Sequence, residues 1–566
     1  MRIQRKTILF ILAITGILVV PFIYIFRGID VTDTGFLLTN QRFIFSAPES
    51  VSYWFHLWLT NIIGGLIDLA WGQRFGILPH RLASVAIFWC TALCVYRLYK
   101  NTIDKNLIAF GILFGSVFSF IDKVNIVHYN NLSALFFFMS SLCLLRAISS
   151  GNKRFFFLGG CIASLNIFVR FPNLLGIGII LIPFIYNFVF GKTKKKVAIR
   201  ISDFLAYIAG CAFACVCVLA VMKLLGHLDI YIASLKELSD IGKVGQDKYS
   251  SLYVLLRPVR DTGLSLIFGF LVFLILTKSK KIRIKIPSLV IYPVCLIFAF
   301  FAYKYFAPRL LLSRYDRIYL WVTAGIGYVS IIYLFMLNES TELLLAGILG
   351  VVNVLLLNIG SDTAIRVSMF AFLAVFPLFF YILKKITDKG KHYSTILFAG
   401  ILISIYIGFA LFTFGHSFYR DKNTVVMPTQ KQLQGLYTSP RRAALLDEMT
   451  AAVNLVAKKN DYVYIHDSIP LLHFLTNTRP YVNNPWPVIY NPDYLALMLE
   501  EARKTHGDVP FILVKQNPRS ENWPDANVEP YNTDIVLRFL EKNNYFIYKD
   551  TQDYVIYLPA KSGETK

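Results

Sequence analysis

The sequence predicts a mainly α-helical membrane protein, with about 13 transmembrane helices followed by a C-terminal extracytoplasmic α/β domain. Three observations carry this. Hydrophobic residues make up 56% of the 566 and charged residues 16%, with a mean hydropathy of +0.55, whereas a soluble chain carries about 25% charge. The apolar residues gather in nearly uncharged runs of about 14 to 22, close to the roughly 20 residues a helix needs to cross a bilayer. After Phe414 those runs stop, and residues 415–566 hold equal numbers of basic and acidic side chains. An ordinary cytosolic enzyme, a disordered scaffold and a disulfide-stapled secreted module are excluded.

The expected spans are Thr7–Phe26, Leu82–Tyr99, Asn106–Ile121, Leu132–Leu145, Phe155–Phe171, Leu174–Phe190, Phe204–Leu225, Leu264–Thr277, Ile286–Phe306, Ile318–Leu337, Leu343–Ile359, Val367–Leu383 and Tyr393–Phe414. The chain carries 57 Lys+Arg against 34 Asp+Glu, a net +23 that suggests nucleic-acid binding at first sight. With the N-terminus inside, however, one alternate set of connections holds several times more basic than acidic residues, including Lys192–Lys196 and Lys278–Lys285. That asymmetry is the positive-inside signal, and it accounts for most of the excess. No nucleic-acid partner is needed.

The same parity decides Val51–Ala70, which is apolar enough to look like a further span. If it crossed, the basic start or the later Lys-rich loops would lie on the wrong side. Its Gly64-Gly65 pair and its Trp, His and Asn content suit a helix at the interface, within a long outer loop over 27–81. Pro21-Phe22 offers no small-residue cleavage site, so the first segment reads as a retained span. The expected division is residues 1–414 for the membrane domain and 415–566 for the outer domain. In the latter, hydrophobic periodicity predicts helices over Arg441–Lys458, Ile469–Leu475, Tyr494–Lys504 and Thr533–Glu541. Strands are expected at Tyr462–His466, Pro510–Lys515, Tyr545–Tyr548 and Tyr554–Leu558. All eight Cys lie in spans, where Cys acts as a small hydrophobe, and neither a disulfide nor a zinc site is expected. No Gly-rich nucleotide loop and no convincing internal repeat is present.

Chemistry must come from polar groups at the outer face. The first outer loop opens Arg27-Gly-Ile-Asp30-Val-Thr-Asp33-Thr-Gly35-Phe36. Two carboxylates three residues apart, beside an apolar slab, suit proton transfer, and in a helix they would share a face. Thr32 or Asp33 could equally cap the helix that follows. Arg257 and Arg260 precede the eighth span, Arg314 and Arg317 the tenth, and Arg170 and Arg366 sit at other outer ends. Their forked donors suit phosphate, while snorkelling to lipid headgroups or pairing with Asp261, Asp316 and Asp362 is the bland reading. His128-Tyr129-Asn130-Asn131 opens the fourth span as a polar patch able to bind a substrate, with helix capping and interfacial anchoring as the alternatives. Asp362 reads as part of a turn that could orient an acceptor. Asn483-Asn484-Pro485-Trp486-Pro487 is a stiff aromatic loop able to stack on a sugar face or merely to cover the core.

These features together resemble the GT-C fold of membrane glycosyltransferases. More narrowly, they resemble the dolichyl-phosphate-mannose protein mannosyltransferase, aminoarabinose transferase and RgtA/B/C/D-like group. The resemblance spans the whole chain in architecture but rests on short motifs: Asp30-Val-Thr-Asp33-Thr-Gly35-Phe36, His128-Tyr129-Asn130-Asn131-Leu132-Ser133 and Arg170-Phe171-Pro172-Asn173. It implies a polyprenyl-phosphate sugar donor and a glycan, lipid or protein acceptor at the outer face, with the periplasmic side of a bacterial inner membrane as the expected location. It implies Asp33, or failing that Asp30, as general base of an inverting single displacement. The binding calls that go with it are Arg257, Arg260, Arg314, Arg317 and Arg170 toward the donor phosphate, and His128, Tyr129, Asn130 and Asp362 toward substrate. The family's frequent Asp-Glu pair is replaced here by Asp-x-x-Asp. No cofactor is demanded; Asp30, Asp33 and Asp362 could gather around a divalent metal, though no spacing requires it. A transporter or flippase of lipid-linked or anionic solutes is the alternative, but ionisable residues inside the spans are few, chiefly Asp203 and Lys223 near span ends.

Overall fold

The computed structural model describes residues 2–119, 125–191, 196–244, 251–278, 316–361, 364–388, 426–467, 469–515 and 532–560, and in addition 297, 400–403 and 405. Among the described residues, nine helices are long and apolar enough to cross a membrane. Their outer faces are apolar: Phe188 is 89% exposed, Leu224 85% and Ile201 79%. Such surface is costly in water and at home in lipid. The chain is an integral membrane protein.

The spanning helices are α1 (Arg2–Ile25), α4 (Leu78–Tyr99), α6 (Tyr129–Ser150), α9 (Ile201–Leu224), α11 (Ser251–Lys278), α12 (Asp316–Met336) and α13 (Thr341–Asn358). Two more begin as 3₁₀ turns, Phe171–Leu181 running into α8 (Ile182–Phe190) and Ala364–Ala374 running into α14 (Val375–Asp388). The shorter apolar helices α5 (Lys105–Ser119) and α7 (Lys153–Val169) fall on the expected third and fifth spans. The spans expected at Ile286–Phe306 and Tyr393–Phe414 lie almost wholly outside the described residues, so the total of 13 is not established.

Glycine sets how closely these helices approach. A Cβ on Gly160 of α7 would stand 2.0 Å from the Tyr207 carbonyl of α9, and one on Gly210 of α9 would stand 2.0 Å from the Phe157 carbonyl. Gly269 of α11 and Gly325 of α12 meet in the same reciprocal way. Where lipid is as apolar as the helix, backbone contact of this kind is a main source of association.

Between α1 and α4 the outer loop folds into α2 (Asp33–Phe43), a 3₁₀ segment (Pro48–Leu57), α3 (Trp58–Ile67) and a π-turn (Asp68–Gly72). The apolar stretch Val51–Ala70 is therefore broken into pieces too short to span. Gly64 and Gly65 lie against Gln41 of α2 and Ile44 just after it, where a Cβ would clash. A further helix outside the spans, α10 (Leu228–Val244), packs on the 3₁₀ segment.

The C-terminal part forms a five-stranded sheet of order β2-β1-β3-β5-β4: β1 (Tyr462–His466), β2 (Arg479–Pro480), β3 (Phe511–Val514), β4 (Tyr545–Asp550) and β5 (Tyr554–Pro559). β1 pairs in parallel with β2 and β3, and β5 antiparallel with β3 and β4. The helices α15 (Pro440–Val456), α16 (Leu471–Thr476), α17 (Pro492–His506) and α18 (Thr533–Lys542) accompany it. Each expected strand and helix of this part has its counterpart, with ends shifted by a few residues. The core does not stop at the membrane body: Ile29, Val31, Phe36 and Leu37 share one buried cluster with Leu446, Ile465, Leu471 and Trp486.

Candidate functional site

The Asp-x-x-Asp motif is not helical throughout. Asp30 precedes α2 and is 5% exposed. Its Oδ1 accepts from Thr32 Oγ1 at 2.7 Å and from Thr32 N at 3.2 Å, and its Oδ2 accepts from Thr34 N at 2.7 Å. Both oxygens are committed to the turn that starts α2, supplying the cap that the Thr32 side chain at the N-cap position does not. Asp33 is the first helical residue and is half-buried, flanked by the buried Thr32 and Thr34. The two carboxylates therefore stand in different settings rather than sharing a helix face.

Helix α2 is held from several sides. Leu471 N donates to Val31 O at 3.2 Å, Thr39 Oγ1 to Pro470 O at 3.0 Å, and Arg442 to Ile29 O at 3.3 Å. At its far end Arg42 grips Asp68 with Nε (3.0 Å) and Nη2 (2.8 Å), donates Nη1 to Phe474 O at 3.0 Å, and lies 3.8 Å over the Phe474 ring. His80 Nε2 stands 3.5 Å from Asp68 Oδ1. Burial works against the Asp68 charge, but the His80 and Arg42 hydrogen bonds win and hold its carboxyl below the usual range. Arg81, 3% exposed, clasps the start of the loop through the Ile25 and Gly28 carbonyls. None of these contacts was legible beforehand. The one available signal was Asp68 itself, a carboxylate at the end of an otherwise apolar run.

The polar patch at α6 is a capping box. His128 Nδ1 accepts from Asn130 N at 3.2 Å and Asn131 Oδ1 from His128 N at 3.2 Å. Asn131 also donates to Ser84 Oγ, and Gln41 of α2 donates to Val127 O at 2.9 Å, which ties the patch to the first loop. His128 is buried against Phe370 with ring centroids 5.8 Å apart, and burial pushes its pKa down to about 3, so the ring is neutral. Tyr129 is half-buried at the edge of the cluster that contains Val31 and Phe36.

The arginines divide. Arg170 ends α7 and donates to the carbonyls of Leu357 (2.9 Å) and Ile359 (2.8 Å), stitching α7 to the end of α13. Arg257 and Arg260 lie within α11 itself, on either side of Pro258, and not in a loop before the span as expected. Pro258 is accommodated inside the helix. Arg260 pairs with Asp261 at 2.9 Å while remaining about half exposed, and the buried Asp261 also accepts from Ile365 N at 3.3 Å. Arg314, Asp362 and the side chain of Arg317 lie outside the described residues. Among the described residues no group of three or more His, Cys, Asp or Glu is arranged to hold a metal ion.

The loop Asn483–Pro487 is internal. Trp486 stacks on Phe36 (5.5 Å), which stacks in turn on Trp54 (4.5 Å), and Asn484 Oδ1 accepts from both Trp54 Nε1 and Trp486 N. These rings join the first loop to the sheet and leave Trp486 6% exposed. Beside them, Glu237 of α10 accepts from Tyr494 OH, and burial holds its carboxyl above the ordinary glutamate range.

No family model and no curated protein matches the chain. It is similar to solved structures of an oligosaccharyltransferase from Archaeoglobus fulgidus. One is AglB in complex with an inhibitory peptide and a dolichol-phosphate, with TM-score 0.47, 12% identity, and 89% of this chain and 69% of that chain covered. Another is the apo form, with TM-score 0.40, 12% identity, and 90% and 69% covered. A third is the complex with Zn and sulfate, with TM-score 0.41, 13% identity, and 89% and 68% covered. At this level of likeness no residue role passes from that enzyme to this chain.

Proposed function

We propose that this chain is a membrane glycosyltransferase of the GT-C type, with residues 1–414 as its membrane domain and 415–566 as its outer domain. It moves a sugar from a polyprenyl phosphate to an acceptor hydroxyl at the extracytoplasmic face. The observation that carries the reading is the division of labour in the first loop. Asp30 spends both oxygens on the turn, and Asp33 stands half-buried at the head of a helix anchored to both the membrane body and the C-terminal part. The positive end of the α2 dipole favours an anion there, the form a base needs.

Asp33 takes the proton of the acceptor hydroxyl as its oxygen bonds to the anomeric carbon. The bond from that carbon to the phosphate oxygen breaks on the opposite face, and the polyprenyl phosphate leaves with the electron pair. The phosphate gains negative charge in this step, so cations beside it favour the transition state over the ground state. Arg257 and the exposed part of Arg260 take that role, and Arg314 and Arg317 are assigned to it from the sequence; Arg170, engaged with two carbonyls, positions helices instead. The N-terminus is cytoplasmic, and the membrane is a bacterial inner membrane.

The test is native mass spectrometry of the purified protein, wild type beside Asp33→Asn, together with a turnover assay on membrane lipid extract. A polyprenyl phosphate in the wild type and an intact polyprenyl-phosphate sugar trapped in an inactive variant support the reading. Undiminished turnover by Asp33→Asn removes Asp33 as the base.

A further inference from the structure

The geometry points to a subsite at the first turn of α6, built from His128 and Asn130, that takes the neutral, hydroxyl-bearing sugar of a lipid-phosphate donor. It rests on the glycosyltransferase reading above. His128 Nδ1 accepts from a backbone N–H, so in the neutral ring the proton sits on Nε2. That Nε2–H is buried and has no hydrogen-bond partner among the described residues, and neither does the Oδ1 of Asn130. His128 is 1% exposed and Asn130 6%. Gln41 contributes a third orphan, its buried Oε1, while its amide nitrogen is tied to Val127 O next to His128.

One donor and two acceptors, all uncharged and all unsatisfied, thus collect around one helix start. Native proteins rarely leave such groups bare, because each has lost its water without replacement. The chemistry of the set selects the ligand. A phosphate would meet a single N–H and two carbonyl oxygens that repel it. A hydroxyl both donates and accepts, and neighbouring hydroxyls of a sugar can satisfy donor and acceptor together. The rings of Tyr129 and Phe370, with centroids 5.9 and 5.8 Å from that of His128, add the apolar surface that the C–H face of a sugar prefers. The subsite reads the sugar, and the arginines read the phosphate.

The experiment measures binding of two kinds of probe to the full chain in nanodiscs in the Asp33→Asn background. These are farnesyl phosphate and a panel of farnesyl-phosphoryl pentoses and hexoses. His128→Asn keeps an oxygen to cap Asn130 N–H but removes the Nε2–H, and Asn130→Ala removes the acceptor; unchanged melting verifies that both fold. At least one sugar-bearing probe should bind the parent about tenfold tighter than farnesyl phosphate, and both variants should erase that advantage while leaving farnesyl phosphate within about twofold. Equal weakening of both probes, or no change in either, overturns the subsite and leaves His128 as a cap with bridging water. If the parent binds neither probe, the glycosyltransferase reading fails and the subsite falls with it.

Discussion

Gly35 faces the backbone of Leu471 so closely that a Cβ at position 35 would stand 2.3 Å from the Leu471 nitrogen. The obstacle is main chain in a helix start and cannot rotate away. Gly35→Ala should therefore push α2 and α16 apart, at about 1–3 kcal/mol as overpacking commonly costs. It should lower the melting temperature and activity together. Gly178→Ala, with nothing within 4 Å of the added methyl, is the matched control and should melt as wild type does.

Asp30 and Asp33 should separate in opposite senses. Asp30→Ala removes the acceptor for two backbone N–H groups and a hydroxyl, and should cost about 1–2 kcal/mol of stability. Asp33→Asn should leave melting nearly unchanged while abolishing turnover. Measuring melting and turnover on both variants checks the pair. A destabilised Asp33→Asn with normal turnover would reverse the two roles.

The Arg42–Asp68 pair is buried, with side chains 8% and 2% exposed. Arg42→Met strands the Asp68 carboxylate away from water and should cost about 3–5 kcal/mol, much of it recovered when Asp68 is replaced as well by Asn. The half-exposed Arg503–Asp508 pair makes the comparison. Removing either of its members should change stability by less than about 1 kcal/mol.

Acid should destabilise the fold before any carboxylate titrates in its ordinary range. His56 is pushed down to about 4, and His128 and His473 to about 3, each mainly by burial. The unfolded chain takes up these protons near pH 6.5, the folded one only far below. Their stabilisation is thus present above about pH 6.5 and is lost as pH falls toward 4, at about 1.4 kcal/mol per pH unit for each proton. Glu237 has the opposite sign. Its raised carboxyl favours the fold at low pH and loses that contribution as pH rises through its folded value. Melting curves from pH 4 to 8 should fall on the acid side, and His56→Gln, which cannot take up the proton, should flatten the slope.

Much of the architecture could be read locally. The short aromatic and β-branched run Tyr462–His466 is a strand buried on both faces, the periodicity of Pro492–His506 arises from one buried face, and no partner need be known to see either. The charge parity that kept Val51–Ala70 out of the count of spans is likewise a property of the loops alone. The site was less legible. Asp30 and Asp33 are identical in type and three residues apart, and only the bend that turns Asp30 back on Thr34 N marks Asp30 as the cap. Arg257 and Arg260 looked like loop residues because a proline and two charges imitate the end of a helix. The Trp54–Phe36–Trp486 stack and the Arg42–Phe474 contact join residues from opposite ends of the chain, and no local pattern encodes such a meeting.

The packing of α2 on α16 also sets an order of events during biosynthesis. Residues 33–43 enter the membrane environment early, while Pro470, Leu471 and Phe474, which hold that helix, are made only after the last of the spans. Until then Gly35 and Thr39 face no neighbour from the sheet, and the Arg42 guanidinium has only Asp68. A ribosome that stalls before codon 470 therefore releases a nearly complete membrane body whose first loop is still unfinished. The first loop thus takes its final packing late and in one step, when residues 470–474 arrive to close over α2.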